Sequence, residues 1–337
     1  MAQLSCVSIT RSRAGAWLLA GAIYALAGCW AFSQETDDAA QLEQSRPDIE
    51  GRAQRIAGEL ERLKKQTDLP ADHWARAWAG SYYVGDGLGM NVRINVAPQA
   101  GITYTWHGCL GLYDGNHGDI VGTFDDDGDG KADGLQIHWL LNSKEWYDFG
   151  SDRYYFIRWE GPAGSNGRFY LVPEARMLGF ANEFNEGSSS RESMRGAPRK
   201  YDPTNRNGPR SQVPPVQGMP QLSAKWARML LPARLDAKVV GVGSASTNDD
   251  KAGGNDMAAR LTLDKGSAEG VYLGMAVRVF QGNYDQGALT VDQLHEHSAE
   301  ALFHASYPAT PSRPLPAVGQ VIRLAAGAVE VDAKAQE

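Results

Sequence analysis

From Ser81 onward the apolar residues recur at every second position, and this period constrains the chain more than any other feature. Val92, Ile94 and Val96 alternate with Arg93 and Asn95, and Ile102, Tyr104 and Trp106 alternate with Thr103, Thr105 and His107. A strand turns successive side chains to opposite faces, so this alternation predicts half-buried strands of an antiparallel sheet. Further strands are predicted over 119–124, 135–141, 144–149, 153–159 and 168–172, divided by Gly, Asn and Asp turns. The pattern fits a meander or a small barrel. Met177, Leu178, Ala181 and Phe184 then predict a closing helix that ends near Gly187.

Helical spacing precedes the strands. Ile49, Ala53, Ile56, Leu60 and Leu63 mark an amphipathic helix behind a capping box at Ser45 and Asp48. Asp68, Pro70, Trp74, Trp78 and Gly80 mark a second, short one. After the first β-rich stretch, residues 187–231 are rich in Ser, Arg, Asn, Gly and Pro, with Arg191, Arg195, Arg199, Lys200, Arg206 and Arg210 making the segment basic. Such a composition reads as a flexible linker. A second β-rich unit follows over 232–326, with strands around 239–242, 259–263, 275–280, 288–294, 300–303 and 321–324, a mobile loop at 244–255, and a disordered tail at 327–337. The fold class is thus mainly β (α+β): two antiparallel β-rich domains, 45–186 and 232–326, with N-terminal helices and a flexible linker.

Within the second unit the text around residues 264–280 contains Lys265-Gly266-Ser267, Gly270-Val271 and Gly274-Met275. It resembles the small β-barrel modules of bacterial envelope and flagellar assembly proteins. The resemblance implies an architecture and a compartment, and transfers no functional residue.

The N-terminus reads as an export signal. Arg11 and Arg13, without acidic residues, precede an apolar run from Ala14 to Ala27 that is too short to cross a bilayer as a helix. Leu26-Ala27-Gly28-Cys29 resembles the lipobox of bacterial lipoprotein precursors. The resemblance implies cleavage after residue 28, a diacylglycerol on Cys29 and membrane attachment; cleavage after Ser33 is the alternative. Residues 29–44 then form a lipidated tether. Trp30, where inner-membrane lipoproteins often carry Asp, favours the periplasmic face of the outer membrane in a Gram-negative cell. Cys6 leaves with the signal and Cys29 takes the lipid, so Cys109 has no partner for an internal disulfide and reads as packed core. The net charge of −7, with no basic arm, excludes an electrostatic footprint for nucleic acid.

The strongest local signal is Asp125-Asp126-Asp127-Gly128-Asp129-Gly130-Lys131-Ala132-Asp133. A hard cation such as Ca²⁺ takes oxygen ligands at loop positions 1, 3, 5 and 9, a glycine at 6 and a carbonyl at 7. Asp125, Asp127, Asp129 and Asp133 occupy the ligand positions, Gly130 the turn, and Lys131 offers its carbonyl. The segment resembles the short calcium loops of integrin-type propellers, dockerins and thrombospondin repeats, with Gln136 in place of the bidentate Glu of an EF-hand. An acidic hairpin turn without metal is the alternative, since Asp-Gly pairs favour such turns.

No Gly-x-Ser-x-Gly elbow, Walker motif or His-Glu-x-x-His occurs. Cys109 with His107 offers a nucleophile and base, and His295, His297 and His304 offer zinc ligands, but solvated or packed roles account for both groups. Among many aromatics, Tyr147 and Tyr155 are assigned to an outer face that could stack on sugars. The sequence therefore points to a lipid-anchored envelope protein of non-enzymatic binding or structural type, contacting a protein or a glycan such as peptidoglycan. The other class is a glycan- or peptide-processing hydrolase using carboxylates such as Asp86, Asp114 and Asp119.

Overall fold

The alternating segments pair in sequence order and close on themselves. In the computed structural model, strands β1 (Gly80–Gly85), β2 (Asn91–Ala97), β3 (Gly101–Gly108), β4 (Gly111–Phe124), β5 (Gly134–Trp139), β6 (Arg153–Trp159), β7 (Arg168–Pro173) and β8 (Arg199–Tyr201) form a closed antiparallel barrel. Besides Gln54 and Gly58, both helical, the structure describes residues 74–85, 89, 91–97, 101–109, 111–140, 148–163, 167–187, 197–201, 213–249, 254–282, 284–308 and 315–328. The export signal, Cys29, the tether and the rest of the first predicted helix lie outside these residues. The second predicted helix is a 3₁₀ turn, Trp74–Ala77, so helix is a minor part of what is described.

The barrel interior is filled by the alternate residues of its strands: Tyr82 and Val84, Val92 and Ile94, Ile102 and Tyr104, Leu135 and Ile137, Tyr154 and Phe156, and Leu171. The opposite faces of β6 and β7, with Tyr155, Ile157, Trp159, Tyr170 and Val172, are buried as well. They pack under helix α1 (Met177–Glu186), which carries Met177, Phe180, Ala181 and Phe184 inward and stops at Gly187 with φ 78°. A glycine suits this left-handed stop because it has no Cβ to clash. Two predicted elements differ. Phe149, expected on a strand, sits in a 3₁₀ turn, Asp148–Gly150, with its ring buried. Strand β8, three residues long, lies where composition reads as linker, and the same stretch continues as helix α2 (Ala224–Ala227) and contributes Val216, Leu230 and Leu231 to the core.

The second unit is a seven-stranded antiparallel sheet. Its strands are β9 (Leu235–Val242), β10 (Ser246–Asp249), β11 (Gly254–Leu263), β12 (Ala276–Gln281), β13 (Tyr284–Leu294), β14 (Ala299–Pro308) and β15 (Val321–Ala325), in the order β12-β13-β14-β11-β9-β15, with β10 on β11. The sheet curls until β12 and β15 come close, which gives it a barrel-like form. Part of the run expected as a mobile loop is instead a strand pair, Ser246 to Asp249 against Asn255 to Ala258.

Both units share one hydrophobic core, in which Val239, Leu261, Val277, Leu289, Phe303 and Leu324 join the outer face of β6 and β7. Polar groups of α1 lock the junction. Buried Asn185 donates to Met229 O (2.9 Å) and to Tyr272 Oη (3.0 Å), and its Oδ1 accepts the Leu231 N–H (2.9 Å). Asn182 donates to Gly274 O (3.0 Å) and accepts from Tyr272 Oη (2.8 Å). Gly270 and Gly274 have φ of 94° and 79°, and a Cβ at either would press on Leu231 or Leu178 at 2.8 Å. The glycine-rich turn singled out in the sequence is therefore the surface on which α1 and the chain before β9 are seated.

Candidate metal site

Residues 125–133 close the β4–β5 hairpin, where Phe124 pairs with Gly134 and the Asp133 N–H donates to Phe124 O at 2.8 Å. Inside the loop the backbone turns its N–H groups onto the carboxylates. Asp125 accepts from Gly128 N (2.6 Å) and Gly130 N (2.8 Å), Asp127 Oδ1 from Asp129 N (3.2 Å), and Asp133 Oδ2 from Asp126 N (2.7 Å). Gly128 and Gly130 adopt φ of 74° and 81°, the left-handed conformation that the loop pattern demands of its glycines.

Asp125, Asp127 and Asp133 converge, each offering an oxygen within 4.8 Å of the others. Two oxygens on opposite sides of one cation at about 2.3–2.6 Å lie about 4.6–5.2 Å apart, so a cluster of this spread is able to coordinate a divalent cation. Among the described residues no cationic side chain forms an ion pair with any of the three. Burial pushes the Asp133 carboxyl up; the Asp126 N–H opposes this, and the charges of Asp127, Asp126 and Asp125 add to it. The cluster thus gathers like charges, which Lys131 offsets only through its charge at a distance, without an ion pair to any of the three among the described residues.

Asp129 stands outside the converging group. Its carboxylate takes the Lys131 ammonium at 2.6 Å and the Lys131 N–H at 2.8 Å, and these hydrogen bonds hold its pKa below the ordinary range.

Between two of the converging aspartates, Asp126 points the other way. It accepts hydrogen bonds from Arg153 and from Tyr155 Oη, with Lys225 Nζ at 3.9 Å. Burial alone would raise its carboxyl, but the bonds from Tyr155 and Arg153 and the charges of Arg153 and Lys225 outweigh it and hold it low. Lys225 also bonds Glu174 Oε1 (2.9 Å), and Arg153 lies 3.9 Å from the centre of the Phe124 ring. Burial first, and then the bond to Asp126, push Tyr155 up to about 12. On the remaining side Asp127 Oδ2 accepts the Ala224 N–H at 2.9 Å, at the start of α2. The hairpin therefore fastens β6, the end of β7 and the chain leading to the second sheet. Sequence reasoning missed this network because Asp126, Arg153, Glu174 and Lys225 are far apart along the chain and share no local motif.

The other sequence-predicted groups do not assemble into sites. Tyr155, assigned to a sugar-stacking face, is buried in the shared core, and Tyr147 lies outside the described residues. Cys109 is exposed in the turn after β3 and is not packed core; His107, partly buried, has its pKa lowered by burial and by the charge of Arg93. His295 and His297 lie exposed in the β13–β14 turn, His297 bonded to Glu269 (3.0 Å), while His304 sits well along β14. Asp114 and Asp119 occupy opposite faces of β4, and Asp86 lies outside the described residues. Comparisons with protein-family models, with curated proteins and with solved structures find no match to this chain.

Proposed function

We propose that this chain is a lipid-anchored cell-envelope protein of binding or structural type, held to a membrane through Cys29, with a barrel stabilised by Ca²⁺. Asp125, Asp127 and Asp133 would supply carboxylate oxygens and Lys131 its carbonyl, with Asp129 joining after release from Lys131. One observation carries the calcium reading: three carboxylates converge on a left-handed glycine turn, with no ion pair to any of them among the described residues. The anchor reading is supported by the tripartite layout of residues 11–29, and the periplasmic face of the outer membrane by Trp30. Contact with an envelope protein or a glycan is the role that such an anchored, β-rich chain suits.

Melting the full-length protein in millimolar Ca²⁺ and in chelator tests the calcium part. A ligand at 100 times its Kd stabilises the folded state by about 2.7 kcal/mol, so a rise of several degrees is expected, with Mg²⁺ giving less. An unchanged melting temperature in Ca²⁺ would overturn it.

A further inference from the structure

The acidic loop is the tip of the β4–β5 hairpin, and the base of the same hairpin carries a different set of donors. Asp119 of β4 lies directly opposite His138 of β5, and two residues nearer the base the Leu140 N–H donates to His117 O at 2.9 Å. Leu135 and Ile137 fill the barrel, and Asn116 and Gly118 face Tyr104 and Ile102 across the β3–β4 ladder. The intervening His117, Asp119 and His138 therefore share the outer face.

His117 is partly buried, and Asp119 and His138 are exposed. His117 is held through its backbone, whose N–H donates to Asn116 Oδ1 at 2.9 Å. None of the three side chains makes a hydrogen bond or an ion pair, although a carboxylate opposite an imidazole is placed to form one. Two apolar residues bracket the trio. Leu140, opposite His117, is 48% exposed, and Val121, the extra residue where the register slips between Ile120 and Gly122, is 61% exposed. A bulge of this kind re-aims side chains, and this one follows Asp119 closely.

We propose that His117, Asp119 and His138 bind a divalent transition-metal ion of the Zn²⁺ type. Directly opposite residues of an antiparallel pair have Cβ atoms about 4.5–5.5 Å apart, and diagonal ones lie about 7–8 Å apart. Side chains as long as imidazole and carboxylate meet across gaps of that size at one ion, with ligand bonds of about 2.0–2.2 Å. Two nitrogens and one oxygen are a donor set that zinc accepts, its fourth position left to water. Imidazole suits zinc and its neighbours whereas Ca²⁺ takes oxygen ligands, so the base of the hairpin selects a different ion from its tip. In the side-chain conformers of this structure the three donors stand apart; among the described residues only Asp125, Asp127 and Asp133 converge within 4.8 Å. Exposed side chains without partners change rotamer within nanoseconds, so the ion itself gathers the donors, and the affinity is micromolar in order. The inference uses no residue of the acidic loop and does not depend on the lipid anchor.

The test is titration of the full-length protein, free of a polyhistidine tag, in detergent micelles with millimolar Ca²⁺ present. Zn²⁺ is followed by calorimetry and Co²⁺ by its visible absorption. Saturable binding in the micromolar range is expected, weakened about tenfold or more by each of His117→Ala, His138→Ala and Asp119→Ala. Asp125→Asn and His297→Ala, which alter the acidic loop and the exposed histidine turn of the second sheet, should leave it unchanged. Melting temperatures close to that of the parent identify the losses as local. Absence of saturable binding at submillimolar Zn²⁺, or binding that keeps its affinity in any one of the three variants, would overturn the assignment. So would binding lost in Asp125→Asn or His297→Ala, which would place the ion elsewhere.

Discussion

The Ala224 N–H donates to Asp127 Oδ2 at 2.9 Å, tying the first residue of α2 to an aspartate of the acidic hairpin. Proline is tolerated at the first helical position because the N–H there has no intrahelical partner, and Ser223 already has the extended ψ of 149° that precedes a proline well. Ala224→Pro should therefore remove this bond alone and destabilise the protein by about 1 kcal/mol in urea unfolding. A loss much greater than that would mean that the substitution disturbs α2 itself.

Carboxylate removal separates the two faces of the hairpin. Asp125→Asn and Asp133→Asn should abolish the gain in melting temperature with Ca²⁺ while costing little in chelator, since they relieve repulsion within the cluster. Asp126→Asn should do the reverse: it weakens the bonds with Arg153 and Tyr155, lowers stability in chelator, and leaves a gain with Ca²⁺. Calorimetric melting of the three variants checks both halves.

Asn185→Ala leaves the buried Leu231 N–H, the Met229 carbonyl and the Tyr272 hydroxyl each short of a partner. Buried groups stripped of partners are costly, so a loss of roughly 2–4 kcal/mol is expected, read as a fall in the urea midpoint. A neutral substitution would show that apolar burial alone holds the junction.

Acid should loosen one turn of the second sheet. The Gly266 N–H bond comes first, and the bond and charge of His297 add to it, in holding the Glu269 carboxyl below its usual range. A group whose folded pKa is depressed stabilises the fold above its unfolded value, about 4.3, and loses that contribution as pH falls through the folded value. The Gly266 amide resonance should therefore move and its exchange protection fall below about pH 4.3, and Glu269→Gln should remove this acid-dependent component. A Gly266 amide that ignores pH in this window would count against the bond.

Replacing Cys29 with Ser should release the protein from the membrane fraction and leave the precursor uncleaved after residue 28. Cell fractionation with mass spectrometry of the mature N-terminus reads both. Unchanged partition and processing would make the lipobox reading wrong.

Much of the fold is legible in the sequence because it is local. Alternation at 92–96 and 102–106 marks β2 and β3, and Gly187 marks the end of α1, since each depends on periodicity or on a conformation that one residue type tolerates. The spacing of aspartates and glycines likewise marks the loop that gathers Asp125, Asp127 and Asp133. What escapes is set by distant contacts. Tyr155 carries the pattern of an outward aromatic, yet Phe124 and Trp226 pack against its ring and its hydroxyl bonds Asp126. Strand β8 is too short and polar to show a period, and it is a strand because β1 and β7 leave edges that it completes. Asp129 has the spacing of a ligand but lies beside Lys131, a closer source of charge than position in a motif reveals.

Strands β6 and β7 are buried on both faces over most of their length, Arg158 being exposed: Tyr154 and Phe156 fill the barrel, while Tyr155, Ile157 and Trp159 join the core in which α1 and Trp226 cover them and which the second sheet completes. The chain therefore cannot be assembled in instalments. A ribosome delivers the barrel strands and α1 first, and until residues 235–328 follow, the apolar side of α1 that meets β12 and β15 stays open to every neighbour. A fragment ending before Leu235 should accumulate as inclusion bodies, whereas the same fragment supplied with residues 232–328 as a separate chain should be rescued into solution. The second sheet would then serve the first as a built-in escort, a role in biogenesis that is separate from anything either unit binds once folded.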